Sequence, residues 1–586
     1  MNRKQRRAMP SQRPGVDMQA GRAVSVEAAA GRLFGEAVRH QHQGKLNEAI
    51  RLYKQVLALT PNHAQVWNNL GCVYLAQGKL KKARAGFERA LVLMPELCDD
   101  FEGVCAMLVA VNPAIGDGMK RAAAAWPRRL PARDLLGPSG VAAIAGDSVL
   151  DHVLQATTVR DVDLERLLTS IRLEVLRTAA DATGAGVEDD VLGFCSALAK
   201  QCFINEYVFA TTAEEAEEAE RLKQTLVEAL RRDTDIPALW PIAVASYVPL
   251  HSLPNAQSLL DRTWPAALTD VLTQQIREPR EEQQHRDLIP RLTVIDDDVS
   301  ARVRGQYEEN PYPRWVHAAS APEPTTIDDH LRNQFPSAPL RPLGSSSGID
   351  VLVAGCGTGR HPIEVARKYK DARVLAVDLS LTSLCYAKRK TPAPLAEKIE
   401  YAQADILKLG SIERTFDLIE ASGVLHHLAD PTAGWRILLS LLRPGGFMHM
   451  GLYSELARRD VVAARAFILE QGYRPTAHDI RRCRQDLLNS PLNGVAKASD
   501  FFSTSECRDL LFHIQERRLT IPQIKSFIAE HDLKFIGFEF APQAMQRYRN
   551  IFGGDHFVRD LDRWHAFETE RPDTFAGMYQ FWIQKN

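Results

Sequence analysis

No stretch of this 586-residue sequence approaches the apolar run of about eighteen residues that a membrane-spanning helix needs, so no membrane partner is expected. Basic residues open the chain (Arg3, Lys4, Arg6, Arg7), but no apolar core follows them, so a secretory signal is not expected either. An excess of one charge is also lacking. Lys and Arg number 72 against 73 Asp and Glu, and this balance gives no reason to favour nucleic acid as a partner. Nine cysteines are scattered without a CxxC pair, and Cys195 and Cys202 fall inside a helical pattern. A disulfide framework is therefore not expected, and a reduced, cytoplasmic setting is. Spaced sets of metal ligands are missing as well. Adjacent His426 and His427 alone are too thin for zinc, and no metal is expected. Apolar residues at 45% and charged residues at 25% are ordinary for a soluble globular protein, and the length suits about three or four domains.

The chain is organised around Asp350-Val351-Leu352-Val353-Ala354, which runs into Gly355-Cys356-Gly357-Thr358-Gly359 and then an amphipathic segment over 362–369. This pattern predicts strand, tight turn and helix. Glycines permit positive φ and close approach of a ligand to the backbone, and the first N–H groups of the helix lack partners of their own. A second apolar run, Val374-Leu375-Ala376-Val377, ends in Asp378, where a carboxylate can accept hydrogen bonds from ribose hydroxyls. A dinucleotide fingerprint would place its third glycine one position later, at Arg360.

This spacing resembles motif I of the class I S-adenosylmethionine-dependent methyltransferases. Three further stretches agree: Ala404-Asp405-Ile406 after a third strand over 399–402, Phe416-Asp417-Leu418-Ile419-Glu420-Ala421-Ser422 with Gly423-Val424-Leu425-His426-His427-Leu428, and Leu441-Leu442-Arg443-Pro444-Gly445-Gly446-Phe447. The resemblance implies S-adenosyl-L-methionine as cofactor. It implies contacts from Gly355, Cys356, Gly357, Thr358, Gly359, Asp378, Leu379, Asp405, Ile406, Ser422 and Gly423, with Asp405 meeting the adenine amino group. A Rossmann-like domain that binds another nucleotide, or that binds without turnover, is the alternative.

Upstream, residues 1–29 read as a disordered basic tail. Over 30–130 the sequence resembles tetratricopeptide repeats of about thirty-four residues. Trp67, Leu70, Gly71, Tyr74, Gly78, Ala83, Phe87, Ala90 and Pro95 mark the clearer copy. An earlier copy carries Leu33, Ala37, Gly44, Ala49, Tyr53, Leu57 and Pro61, and a degenerate third copy carries Phe101, Val104, Cys105 and Leu108. So short an array reads equally as a docking surface for a protein partner and as a helical cap on the next domain. Residues 131–300 are helical by periodicity, and the charge run over 278–285 reads as a solvated helix face or linker. Residues 301–345 hold Tyr307, Asn310-Pro311-Tyr312-Pro313-Arg314-Trp315 and a Pro- and Ser-rich linker. This segment resembles the lid over the cofactor in class I enzymes. Tyr307, Tyr312 and Arg314 are then cofactor contacts; interdomain packing is the other reading.

The fold expected is therefore multidomain: an α-helical N-terminal half and an α/β Rossmann-like methyltransferase half at 346–586, with a helical insertion at about 461–519. In this family such an insertion covers the substrate pocket, which makes Arg508, Asp509 and His513 candidate substrate contacts. The position after strand four reads Ala421-Ser422-Gly423-Val424, unlike the Asn/Asp-Pro-Pro-Tyr/Phe of many base-amino methyltransferases. Val-Leu-His-His-Leu instead resembles enzymes that methylate O and C atoms of small molecules. His426 or His427 is the candidate base, at most one of them facing the pocket. The expected function is methyl transfer to an acceptor, a small molecule before a protein. The alternative is an interaction protein whose methyltransferase fold senses the cofactor without catalysis.

Overall fold

The apolar runs read from the sequence become the centre of one seven-stranded sheet, ordered β3-β2-β1-β4-β5-β7-β6. The strands are β1 Asp350–Ala354, β2 Arg373–Asp378, β3 Ile399–Gln403, β4 Phe416–Ser422, β5 Leu442–Leu452, β6 Leu533–Phe538 and β7 Tyr579–Lys585. The computed structural model describes all residues except 1–16, 96, 98–103, 182–186, 319–322, 345–347, 541 and 555–556. The neighbours in β3-β2-β1-β4-β5 pair in parallel, and β7 lies antiparallel between β5 and β6. Parallel strands need cover on both faces, and this is why they read as unbroken apolar runs. One face packs Leu352, Ile419, Met448 and Trp435; the other packs Val351, Val353, Ile363 and Trp582. Strand order reverses between β1 and β4, so the carboxyl ends of β1, β2 and β4 open a crevice at the switch point. The β3 edge is occupied too: Gln403 N donates to Pro290 O at 2.9 Å and Leu292 N to Gln403 O at 2.9 Å.

The chain divides into two compact units, one of Met1–Gly116 with Asp147–His152 and the other of Asp117–Gly146 with Val153–Asn586. The second unit thus takes in the predicted helical region beyond residue 152 together with the sheet. Three long helices, Val162–Asp181, Asp189–Ile204 and Ala213–Arg232, precede the sheet. Their apolar stripes bury Leu167, Ile171, Leu198 and Leu226. After β5 come the helices Arg459–Gln471, Ala477–Leu488 and Thr504–Phe512, which share a separate core of Val461, Ile480, Leu487, Phe501 and Leu510. The charge run at 278–285 forms the helix Glu278–His285, none of whose residues is buried, and Glu278 and Glu282 pair with Arg389 at 2.9 and 2.8 Å.

The first unit holds the helices Asp17–His42, Leu46–Leu59, Ala64–Ala76 and Leu80–Leu93. A Cβ on Gly86 would sit 3.1 Å from the Cα of Gly71, so these two small residues set how closely the paired helices approach. Trp67 Nε1 donates to Pro61 O at 2.9 Å and ties the start of the second copy to the end of the first. The tail expected over 1–29 differs in its second half, where helix begins at Asp17. Ala20, Ala23, Ala28 and Ala29 favour helix, and a nucleus already formed in the repeat lets it propagate toward the N terminus. Residues 1–16 and Phe101 lie outside the described residues. Among the described residues no helix is long and apolar enough to cross a membrane.

Candidate functional site

A cavity of about 610 Å³ lies at the switch point, lined by the β1 turn, the β2, β3 and β4 ends, and Tyr307 and Tyr312. The turn after β1 is held against the end of β2: Gly355 N and Cys356 N donate to Val377 O at 2.9 and 3.0 Å. Gly357 has φ +51°, and a Cβ there would stand 2.6 Å from Tyr312 O, so only glycine admits the overlying segment. Gly359 serves packing instead, since a Cβ would collide with Ala387. Neither Thr358 nor Gly359 reaches the cavity wall, in contrast to the expectation; the Thr358 hydroxyl donates to Pro313 O.

Asp378 is braced before any ligand arrives. Its two oxygens accept from Gly357 N and Ser380 N, each at 2.8 Å, and burial raises its pKa. Asp405 caps the turn that follows β3 by accepting from Leu407 N at 2.9 Å, while its other oxygen is buried without a hydrogen bond. An oxygen of this kind requires a donor. Leu379, Ile406, Ser422, Gly423 and Val424 complete this part of the wall.

Tyr307 belongs to the helix Asp298–Glu309, not to a loop. Glu308 fixes that helix end by accepting from Leu381 N at 2.6 Å and Thr382 Oγ1 at 2.5 Å, at the N terminus of the helix Leu381–Lys390. Tyr307 OH donates to Asp509 Oδ1 at 2.5 Å and lies 3.1 Å from His513 Nε2. The His513 ring stacks on His427 with centroids 3.7 Å apart. Asp509 and His513 therefore stand behind Tyr307 and His427 rather than on the cavity surface. Burial, reinforced by His427, holds His513 well below its usual pKa, and burial raises Asp509.

Three expected contacts lie elsewhere. Arg314 sits off the cavity, 4.7 Å from the Phe203 ring and 3.7 Å from Glu206, because the chain turns its guanidinium toward the helices upstream. Arg508 pairs with Glu309 at 2.7 Å and donates to Asn310 Oδ1 at 2.5 Å, bracing a helix end. His426 is fully buried against the Tyr453 ring, centroids 3.7 Å apart, with no hydrogen bond from either nitrogen; His427 is the one of the pair on the cavity.

The structure also gathers residues that sequence reasoning missed. His361, Glu420, His449 and Glu539 line the cavity from four different elements. Glu420 Oε2 lies 3.2 Å from His361 Nε2 and 2.6 Å from His449 Nδ1, and His449 Nε2 lies 3.6 Å from Glu539. Burial alone would raise Glu420; His449 and His361 outweigh it and hold that carboxyl well below the usual range. The sequence signal is confined to Glu420, a charge set between Ile419 and Ala421 in β4.

Comparison with known families bears on this architecture. Residues 351–446 match the methyltransferase domain family, 42–78 match a TPR repeat family, and 64–97 match a tetratricopeptide repeat family. The chain thus carries tetratricopeptide repeats and a methyltransferase domain. An uncharacterized protein of Synechococcus is 27% identical over 318 residues, which is 50% of this chain and 74% of that protein. The methyltransferase half is also similar to a ubiquinone biosynthesis O-methyltransferase of Xanthomonas axonopodis, 31% identical over 134 residues, 23% of this chain and 53% of that enzyme. The match thus spans about half the length of that methyltransferase. Among solved structures, PKMT2 from Rickettsia typhi aligns with a TM-score of 0.35 at 17% identity, covering 46% of this chain and 54% of that one.

Proposed function

We propose that the cavity binds S-adenosyl-L-methionine and that the protein transfers its methyl group to a small-molecule acceptor seated beside Tyr307 and His427. One observation carries the reading: two carboxylates, Asp378 at the end of β2 and Asp405 just past the adjacent β3, stand beside the glycine turn, and Asp405 keeps a buried oxygen without a donor. Ribose hydroxyls suit Asp378, whose oxygens are already fixed by backbone donors. An adenine amino group suits the free oxygen of Asp405, with Leu379 and Ile406 supplying apolar cover to the ring. The cofactor, once bound, supplies the electrophilic sulfonium methyl. Gly355, Cys356 and Gly357 shape the floor, and Tyr307 and Tyr312 exclude water above it.

The remaining task for the chain is to align the acceptor and take its proton. His427 Nδ1 lies 3.0 Å from Gln515 O, and a carbonyl only accepts, so Nδ1 carries the hydrogen. Nε2 then keeps its lone pair and suits a general base. Asp509, through the Tyr307 hydroxyl, and His513, through its stacked ring, fix the two side chains that face the acceptor. The similarity to ubiquinone biosynthesis O-methyltransferases supports a small acceptor methylated on oxygen. The repeats favour a second reading, a protein acceptor recruited through the first unit.

The deciding experiment supplies the purified full chain with methyl-labelled S-adenosylmethionine and lysate separated into small molecules, protein and RNA. Label in the small-molecule fraction supports the proposal, and label in protein supports the second reading. Binding of cofactor with no transfer to any fraction would leave a sensor rather than an enzyme.

A further inference from the structure

The roof of the cavity is held from outside the cavity's own walls. Residues 307–315 run from the end of the helix Asp298–Glu309 across the glycine turn, and Tyr307, Tyr312 and Pro313 line the cavity. Tyr312 O stands 2.6 Å from where a Cβ on Gly357 would sit, so a ligand seated against that turn lies beneath this segment. Among the described residues no backbone–backbone hydrogen bond ties residues 311–316 to the rest of the chain. Side chains hold the segment instead. Trp315 Nε1 donates to Thr358 O at 3.2 Å, the Tyr386 hydroxyl donates to Trp315 O, and Ser380 Oγ donates to Tyr307 O at 3.0 Å. A segment without a backbone ladder is drawn from the low-stability end of a fold and opens at small free-energy cost.

The insertion after β5 ties the roof down where it leaves the helix. Arg508, on the helix Thr504–Phe512, pairs with Glu309 at 2.7 Å and donates to Asn310 Oδ1 at 2.5 Å. Beside it, Asp509 accepts from the Tyr307 hydroxyl at 2.5 Å, and Ile514 N donates to Gln306 Oε1 at 3.4 Å. The Arg508 side chain is 10% exposed and that of Glu309 68%, so water screens the ion pair and the sheltered bond to Asn310 carries more of the hold. Arg508, Glu309 and Asn310 all lie off the cavity wall.

We propose that Arg508 is a positioning residue that latches this roof and sets how fast S-adenosylmethionine enters the cavity and S-adenosylhomocysteine leaves it; the inference rests on the cofactor reading above. Arg508 touches no atom of the wall, so it holds the roof alike whether or not a ligand lies beneath. Loosening it raises the open fraction in both cases. Entry and departure then speed by one factor, and affinity stays nearly constant, because only a contact that differs between two states shifts the balance between them. Loss of a direct ligand contact behaves otherwise and speeds departure alone. The helix that carries Arg508 runs straight into His513, whose ring backs His427, so the latch and the acceptor wall share one element.

The test measures association and dissociation of S-adenosylhomocysteine by stopped-flow fluorescence on the full chain, on Arg508→Met and on Glu309→Gln. Met keeps the apolar stem of the side chain without its donors, and Glu309 is exposed, so both variants should fold and melt as wild type does. Arg508→Met should speed both steps about ten-fold, the weight of one hydrogen bond from a charged group, with little change in affinity. Glu309→Gln keeps the Asn310 bond and should speed both steps less. Amide exchange in Arg508→Met should quicken over 304–316 and stay unchanged in the sheet. Wild-type rates in Arg508→Met, a gain confined to dissociation, or faster exchange spread through the sheet overturns the latch and leaves the cofactor reading standing. A wild-type chain that binds no S-adenosylhomocysteine overturns both.

Discussion

Glu165 and Arg484 face each other at 2.8 Å with neither side chain open to solvent, although 319 residues separate them. Arg484 also donates from Nε to Phe501 O at 2.7 Å. A guanidinium from the insertion after β5 is thus neutralised by a carboxylate from the helices before the sheet. Removing one partner of a buried pair leaves a charge without compensation, at about 3–5 kcal/mol. Glu165→Ala should lose that much stability in urea unfolding. A loss under about 1 kcal/mol, the level of an exposed pair, would show that the two regions fold separately.

Truncation extends the same reasoning to the domain boundaries. Deleting residues 1–116 removes the bulk of the first compact unit and should leave cofactor binding in place. Deleting residues 1–300 takes Glu165 and Glu206 away from Arg484 and Arg314, and that product should be insoluble or molten. Cofactor affinity in a soluble 301–586 fragment equal to that of the full chain would contradict this.

Glu506 offers a pH test. Burial raises its carboxyl to about 8 from an ordinary 4.5, and one of its oxygens has no hydrogen bond. Between these two values the unfolded chain releases the proton and the folded chain keeps it. Stability from this group is therefore complete below the lower value and is lost as pH rises through the upper one. Glu506→Gln should raise the melting temperature more at pH 8 than at pH 5. An equal shift at both would mean that the carboxyl is already ionised in the fold.

Tyr312 and Arg314 stand two residues apart and should behave differently. Tyr312 lines the cavity, and its replacement by Ala should weaken cofactor binding with little effect on the apo melt. Arg314 lies against Phe203 and Glu206, so Arg314→Ala should lower the apo melt and leave cofactor affinity nearly unchanged. Calorimetry and thermal melts on both variants check the pair; the reverse pattern would return Arg314 to the cofactor.

What the sequence disclosed follows from how local each feature is. The turn at 355–359, Asp378 and Asp405 were legible because each sits at a fixed offset from an apolar run, and the run itself marks the strand. Arg314 was not, because its partner Glu206 belongs to a turn after a helix far upstream, where Glu206 and Tyr207 both take positive φ. The sequence pattern reads Tyr307 as part of a loop, whereas the prolines that follow end the helix only after Glu309. His361, Glu420, His449 and Glu539 share no spacing at all. They meet only because β4 and β5 pair in one register and the chain leaving β6 returns beside them.

The most direct test of the account is calorimetry of S-adenosylhomocysteine binding to the full chain and to Asp378→Ala. Hydrogen bonds to a charged group contribute about 1.5–3 kcal/mol each, so losing the ribose contacts should weaken binding at least ten-fold while the fold survives. Wild-type protein that binds no S-adenosylhomocysteine, or a folded Asp378→Ala that binds it as tightly as wild type, would contradict the assignment of this cavity to the cofactor.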